Sequence, residues 1–116
     1  MVPLRTLAVT ISPLFCDIVA QSLARRVPIE VTGLVNTRAG LEHRVMALAP
    51  DIILIGLAEG EGDAFVLSLA QLLPQAVVVA FSSDLRQAYA CRKDCRPLLL
   101  EDASPDSLAD AIISLR

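Results

Sequence analysis

Aromatic side chains are scarce in this chain. They make up 3% of its 116 residues, with no tryptophan and a single tyrosine, Tyr89. The core must therefore come from Leu, Val, Ile and Ala, a composition suited to a β-branched parallel sheet covered by Ala/Leu-rich helices. Basic residues are also short: 10 Lys and Arg stand against 13 Asp and Glu, leaving a net charge of −3. That balance argues against a domain that grips a phosphate backbone by itself, because such affinity comes from clustered Lys and Arg. No apolar run approaches the roughly 20 residues of a membrane span. The N-terminus has one Arg and then a strand-like pattern, not the basic head and cleavage site of a signal peptide. A cytoplasmic protein without a membrane partner is the expectation.

Cysteine and histidine are equally sparse. Cys16, Cys91 and Cys95 are an odd number without a secretory signal, which implies reduced thiols used for packing. Cys91 and Cys95 are expected to share a helix face, without the further ligands that a metal site needs. The sole histidine, His43, lies mid-helix between Glu42 and Arg44 and reads as an exposed helix residue.

What is present is centred on Pro50-Asp51-Ile52-Ile53-Leu54-Ile55-Gly56. Four aliphatic residues without polar alternation suit a strand buried on both faces, and the run stops on a glycine. In an open α/β sheet, ligands and chemistry gather at the carboxyl ends of such strands. Gly56 stands at that end and has no side chain to offer.

The rest of the chain alternates strands and helices. Leu4 to Val9 reads as a first strand. Ser12-Pro13 opens a helix, with Ser as N-cap and Pro where its missing N–H costs nothing. Phe15, Ile18, Val19, Ser22 and Leu23 are expected on its buried face, and Arg25-Arg26 in its last turn. Ile29 to Val35 is a second strand, interrupted by Gly33. Thr37 is expected to cap a second helix with Leu41, Val45 and Leu48 on one face, ending before Pro50. After Gly56 comes an acidic, glycine-rich loop carrying Glu59, Glu61 and Asp63, read as solvated. A third helix follows, from about Ala64 to Leu73, broken by Pro74. Ala76 to Phe81 is another continuous apolar strand. Ser82-Ser83-Asp84 is expected to cap a fourth helix, Leu85 to about Cys95. Pro97 to Leu100 is a last strand, and Ser104-Pro105 starts a final helix by the same device as Ser12. The expectation is one domain, 1–116: a doubly wound (βα)5, flavodoxin-like three-layer sandwich with right-handed crossovers.

At this level of detail the chain resembles the receiver domains of bacterial two-component response regulators. The resemblance is carried by Arg5-Thr6-Leu7-Ala8-Val9 with Ser12-Pro13-Leu14-Phe15, by Pro50 to Ile55, and by Asp102-Ala103-Ser104-Pro105-Asp106-Ser107-Leu108. The last stretch is similar to receivers that precede a helix-turn-helix DNA-binding domain. The resemblance implies a five-stranded parallel sheet in the order 2-1-3-4-5, and a C-terminal output domain beyond Arg116 as the route to DNA. It also implies phosphoryl transfer from a histidine kinase to an aspartate beside Mg²⁺. Here the acidic pair that helps hold the metal falls on Thr10 and Ile11, and the phosphoacceptor on Gly56. The hydroxyl falls on Phe81 (Ser82 is one residue late), the lysine on Glu101 and the switch aromatic on Leu98. With those acids gone there is no oxygen cage for a hard cation, and Glu101 repels a phosphoryl group.

The resulting expectation is a pseudo-receiver. It would be a non-enzymatic domain in signal transduction or transcription regulation, without a cofactor, acting by phosphorylation-independent binding to a protein partner or to itself. Arg86, Tyr89, Arg92 and Lys93 of the expected fourth helix, with Leu98, are its candidate interaction surface, since Tyr and Arg are enriched at hot spots. The alternative is a small-molecule-binding regulatory domain using the vacated phosphorylation pocket, lined by Phe81 and Ile11. A cryptic enzyme or redox module using Cys16 or the Cys91/Cys95 pair is a further reading.

Overall fold

The computed structural model describes residues 3–73, 76–93 and 95–115. Pro74, expected to break the third helix, lies outside the described residues. Ten elements follow one another: β1 (Leu4–Val9), α1 (Pro13–Leu23), β2 (Ile29–Val35), α2 (Leu41–Leu48), β3 (Ile52–Gly56), α3 (Asp63–Leu72), β4 (Val77–Phe81), β5 (Ala88–Cys91), β6 (Leu98–Leu100) and α4 (Pro105–Leu115).

The six strands form one mixed sheet in the order β2-β1-β3-β4-β5-β6. β1, β2, β3 and β4 are parallel neighbours. β5 runs antiparallel to β4, and β6 antiparallel to β5. The α/β class agrees with the sequence reading. The five-stranded, all-parallel sheet with five helices does not.

The correction lies at residues 82–95. Ser82 and Asp84 are good helix caps by type, but the same side chains close a hairpin turn. The Ser82 hydroxyl donates to Asp84 Oδ1 at 2.6 Å, the Arg86 N–H donates to the same oxygen at 3.0 Å, and the Gln87 N–H donates to Ser82 Oγ at 3.1 Å. The Ser82 hydroxyl first, and then the Arg86 N–H, hold the Asp84 carboxyl below its ordinary range. Leu85, where the helix was expected to start, has φ 63°, a left-handed conformation that no right-handed helix can begin with. So short a connection also cannot cross over, and the next strand must return antiparallel. Ala88, Ala90 and Cys91 are fully buried on it. Cys91 and Cys95 therefore share no helix face: Cys91 is buried on the strand and Cys95 is exposed after it.

Each sheet face carries its own core. On one side Ala8, Leu54, Val79 and Phe81 pack with Cys16, Val19 and Leu23 of α1 and Leu108 and Ile112 of α4. On the other, Leu7, Ile53, Ile55 and Val78 pack with Val66, Leu69 and Ala70 of α3, flanked by Leu41, Val45 and Leu48 of α2 as expected. The unbroken apolar runs of β3 and β4 are explained by this: both faces are covered, so alternation disappears.

Of the four helix caps expected from the sequence, Ser12 and Ser104 form, whereas Ser82–Asp84 closes the hairpin and Thr37 does not cap α2. Ser12 Oγ accepts from the Phe15 N–H at 3.1 Å, with Pro13 at the first helical position. Ser104 Oγ accepts from the Ser107 N–H at 3.3 Å. Thr37 instead accepts from the Ala39 N–H, and α2 begins after Gly40, whose left-handed φ of 71° turns the chain. On α1 the buried residues are Cys16, Val19 and Leu23, whereas Ile18 is 52% exposed and Ser22 is exposed. Arg25 and Arg26 follow the helix rather than close it; Arg26 reaches across to Asp106 and Asp110 of α4.

Candidate functional site at the carboxyl end of the sheet

The ends of β1 and β3 bring Thr10 against Gly56, β4 sets Phe81 in register with Gly56, and Ile11 packs in the same core as Phe81. Glu101 is exposed just past β6. Thr10 follows β1 with φ 54°, an uncommon conformation for a β-branched residue. It is held there by its N–H, which donates to Val35 O at 2.8 Å, and by its hydroxyl, which donates to Gly56 O at 3.0 Å. That geometry aims the Thr10 carbonyl at Gly56. A Cβ on residue 56 would lie 2.6 Å from Thr10 O, closer than real Cβ atoms approach. Glycine is thus required here for space.

Arg38 completes the closure. Its guanidinium grips Glu61 through two bonds of 2.7 Å, donates to Gly56 O at 2.8 Å, and lies 4.6 Å over the Phe65 ring. Glu61 also accepts from the Ala58 N–H at 2.7 Å. One fork-to-fork ion pair therefore staples the loop after β2 to the loop after β3, with the end of the central strand beneath it. Both side chains are mostly shielded, Arg38 at 30% and Glu61 at 24% exposure.

The acidic loop is accordingly not simply solvated. Glu61 is turned inward, Glu59 is exposed, and Asp63 sits at the start of α3 with Oδ1 accepting from the Ala64 N–H at 2.9 Å. Among the described residues no three His, Cys, Asp or Glu side chains come together as a metal-ligand group. The side chains at the positions where the sequence resemblance would put Mg²⁺ do not fit it either. Thr10 offers a hydroxyl already bonded, Ile11 hydrocarbon, and Gly56 no side chain.

Sequence reasoning missed Arg38. The available signal was a cation three residues past β2, at the carboxyl end of the sheet, facing an acidic loop past β3.

The Arg38 hydrogen bonds, first among the causes, hold the Glu61 carboxyl below the usual carboxylate range, and Glu61 in turn raises Arg38 further. A lowered folded value means the staple's contribution is complete above about pH 4.3, where an unfolded glutamate titrates, and is lost as pH falls through the folded value. Chemical denaturation of wild type should therefore lose more stability between about pH 5 and 3 than Glu61→Gln does. Equal slopes for the two proteins would mean that the pair stabilises nothing.

Phe81 is fully buried and meets Phe15 edge-to-face, with ring centroids 5.0 Å apart and planes at 89°. Fully buried, Phe81 therefore lines no open space. An open groove of about 440 Å³ beside Ile11 is lined by Pro13, Leu34, Val35, Asn36, Thr37 and Arg44, and Phe81 has no part in it.

The expected interaction surface is dispersed. Arg86 lies in the hairpin turn, where its carbonyl accepts from the Ala103 N–H. Tyr89 is half-buried on β5 against the α3-side core. Arg92 donates to Leu115 O at 2.9 Å and so ties down the end of α4. Lys93 and Leu98 are exposed. None belongs to a helix face.

The other candidates occupy ordinary positions. His43 is exposed on α2, at the rim of a groove with Met46 and Leu72. Burial, then Asp17, pushes the Cys16 thiol up, and burial first does the same to Cys91; both changes oppose thiolate reactivity. No helix among the described residues is long and apolar enough to cross a membrane. No protein-family model, curated protein or solved structure matches the chain.

Proposed function

We propose that this chain is a receiver-like domain acting in signal transduction or transcription regulation through protein–protein contacts, without phosphorylation and without catalysis. The observation that carries the reading is the closed carboxyl end of β3. Residue 56 has no room for a side chain, its carbonyl is bonded to Thr10 and Arg38, and the Arg38 fork is taken by Glu61. The strand order lends support as well: with the antiparallel β5 set aside, the remaining strands run 2-1-3-4 and then β6, parallel throughout. On this reading the helix between the last two parallel strands of a receiver has given way to a strand.

A backbone-amide NMR titration with Mg²⁺ and beryllofluoride tests it. The expected result is no saturable shift at Thr10, Gly56 or Glu101 at millimolar ligand. Saturable shifts at those residues would restore phosphoryl chemistry and overturn the reading.

A further inference from the structure

We propose that β6 is a self-pairing edge: two copies of this chain join antiparallel through Arg96–Asp102, about a two-fold axis at Leu99, and so continue the sheet across the dimer. This rests on the interaction reading above and names its partner as a second copy.

The two edges of the sheet are built differently. β2 carries Glu30 within the strand, and its register against β1 slips at Thr32, where Thr6 faces Val31 but Leu7 faces Gly33. A charge and an irregularity are among the devices that keep an edge from recruiting another strand, as are shortness and proline. Within its three residues β6 carries no charge, no proline and no irregularity, and its protection is limited to its length and to Pro97 just before it. It is Leu98-Leu99-Leu100 in unbroken register with β5, and no described strand covers its outer side. Leu98 remains 47% and Leu99 42% exposed, one on each face of the sheet. An outward row of backbone N–H and C=O groups flanked by half-exposed leucines is a template for strand addition.

The flanking charges select the partner. The segment reads Arg96-Pro97-Leu98-Leu99-Leu100-Glu101-Asp102, positive at one end and negative at the other. In a two-fold antiparallel pair about Leu99, Leu98 faces Leu100 of the second copy and Arg96 faces Asp102 of the second copy. Symmetry makes each contact twice. Parallel pairing would set Arg96 against Arg96 and Asp102 against Asp102, and like charges directly opposite are unfavourable. Flanks of one sign would repel every second copy, whereas flanks of opposite sign admit one orientation. Both residues are exposed, and neither takes part in an ion pair among the described residues. A three-residue strand with short flanks buries less than the ~1,000 Å² of a stable complex, so the dimer is weak and dissociates on dilution.

Sedimentation equilibrium from micromolar to near-millimolar protein reads this directly. Wild type is expected to show a concentration-dependent monomer–dimer equilibrium. Arg96→Asp and Asp102→Arg, each replacing two attractions by two repulsions, should each weaken it about tenfold. The double variant R96D/D102R should restore it to within about threefold of wild type. Far-UV circular dichroism confirms folding; if a charge reversal unfolds the chain, Arg96→Gln tests the same contact with the attraction merely removed. A monomer at every concentration, a dimer indifferent to the single variants, or a folded double variant that stays weak would each overturn the pairing. None of these outcomes touches the phosphorylation-independent reading, which fails only if beryllofluoride binds.

Discussion

Gly56→Ala is expected to destabilise the domain by about 2–3 kcal/mol, an unusually large loss for the addition of one methyl group. The methyl carbon would arrive 2.6 Å from the Thr10 carbonyl oxygen, and that oxygen belongs to backbone. A flexible side chain could swing aside, but Thr10 cannot easily do so. Its N–H is bonded to Val35 and its hydroxyl to Gly56, and its φ of 54° already lies in a sparsely populated region. Gly56→Asp should be worse, since it adds a carboxylate to the same collision beneath the Arg38–Glu61 pair. It should also fail to accept a phosphoryl group from acetyl phosphate, the small-molecule donor. Urea denaturation measures the first effect and intact-mass spectrometry the second. An Ala variant as stable as wild type would show that the turn after β1 yields freely. An Asp variant that gains phosphate would show that only the nucleophile was missing.

Phe81→Ala should cost about 3–5 kcal/mol, the range for removing a fully buried aromatic side chain. Phe81 is the largest fully buried side chain among the described residues, and it supports both α1 through Phe15 and α4 through the shared core. Phe81→Leu, which keeps most of the volume, should cost about 1–2 kcal/mol, including the lost edge-to-face contact with Phe15. Phe81→Thr, which on the receiver-like reading would supply the hydroxyl of that family, is expected to lose stability without gaining beryllofluoride binding. Thermal or urea unfolding of the three variants gives the ranking. If Phe81→Thr proved as stable as Phe81→Leu, the space around residue 81 would be wet, and the vacated-pocket alternative would return.

The places where sequence and structure agree share a short range. Ser12 and Ser104 cap helices by bonding to N–H groups three residues on. Ile52–Ile55 and Val77–Phe81 are strands because nothing in either run tolerates water. The largest disagreement, the strand in place of a fourth helix, occurs where local chemistry is ambiguous. Ser82 and Asp84 suit a helix start and a tight turn equally well, and Ala88 to Cys91 is too short for periodicity to arbitrate. What decides is β4, whose free edge needs a hydrogen-bonded neighbour and finds one directly after the turn. Tyr89 and Arg92 follow from that choice: one packs inward from the strand, and the other ties down α4 instead of facing a partner.

Gly56 divides the two sources of information most sharply. From the sequence alone, a buried strand ends at the place where α/β sheets put their chemistry, and the side chain for that chemistry is missing. Composition, the apolar runs and the Ser-Pro caps are likewise properties of neighbouring residues, so the chain order is enough to read them. Only the tertiary structure decided that the gap at Gly56 is closed. The Thr10 carbonyl that closes it lies 46 residues away, and Arg38 and Glu61, which cover it, come from two different loops. Such contacts depend on which strands become neighbours, and that follows from burying both faces of the sheet at once rather than from any one segment's own preference.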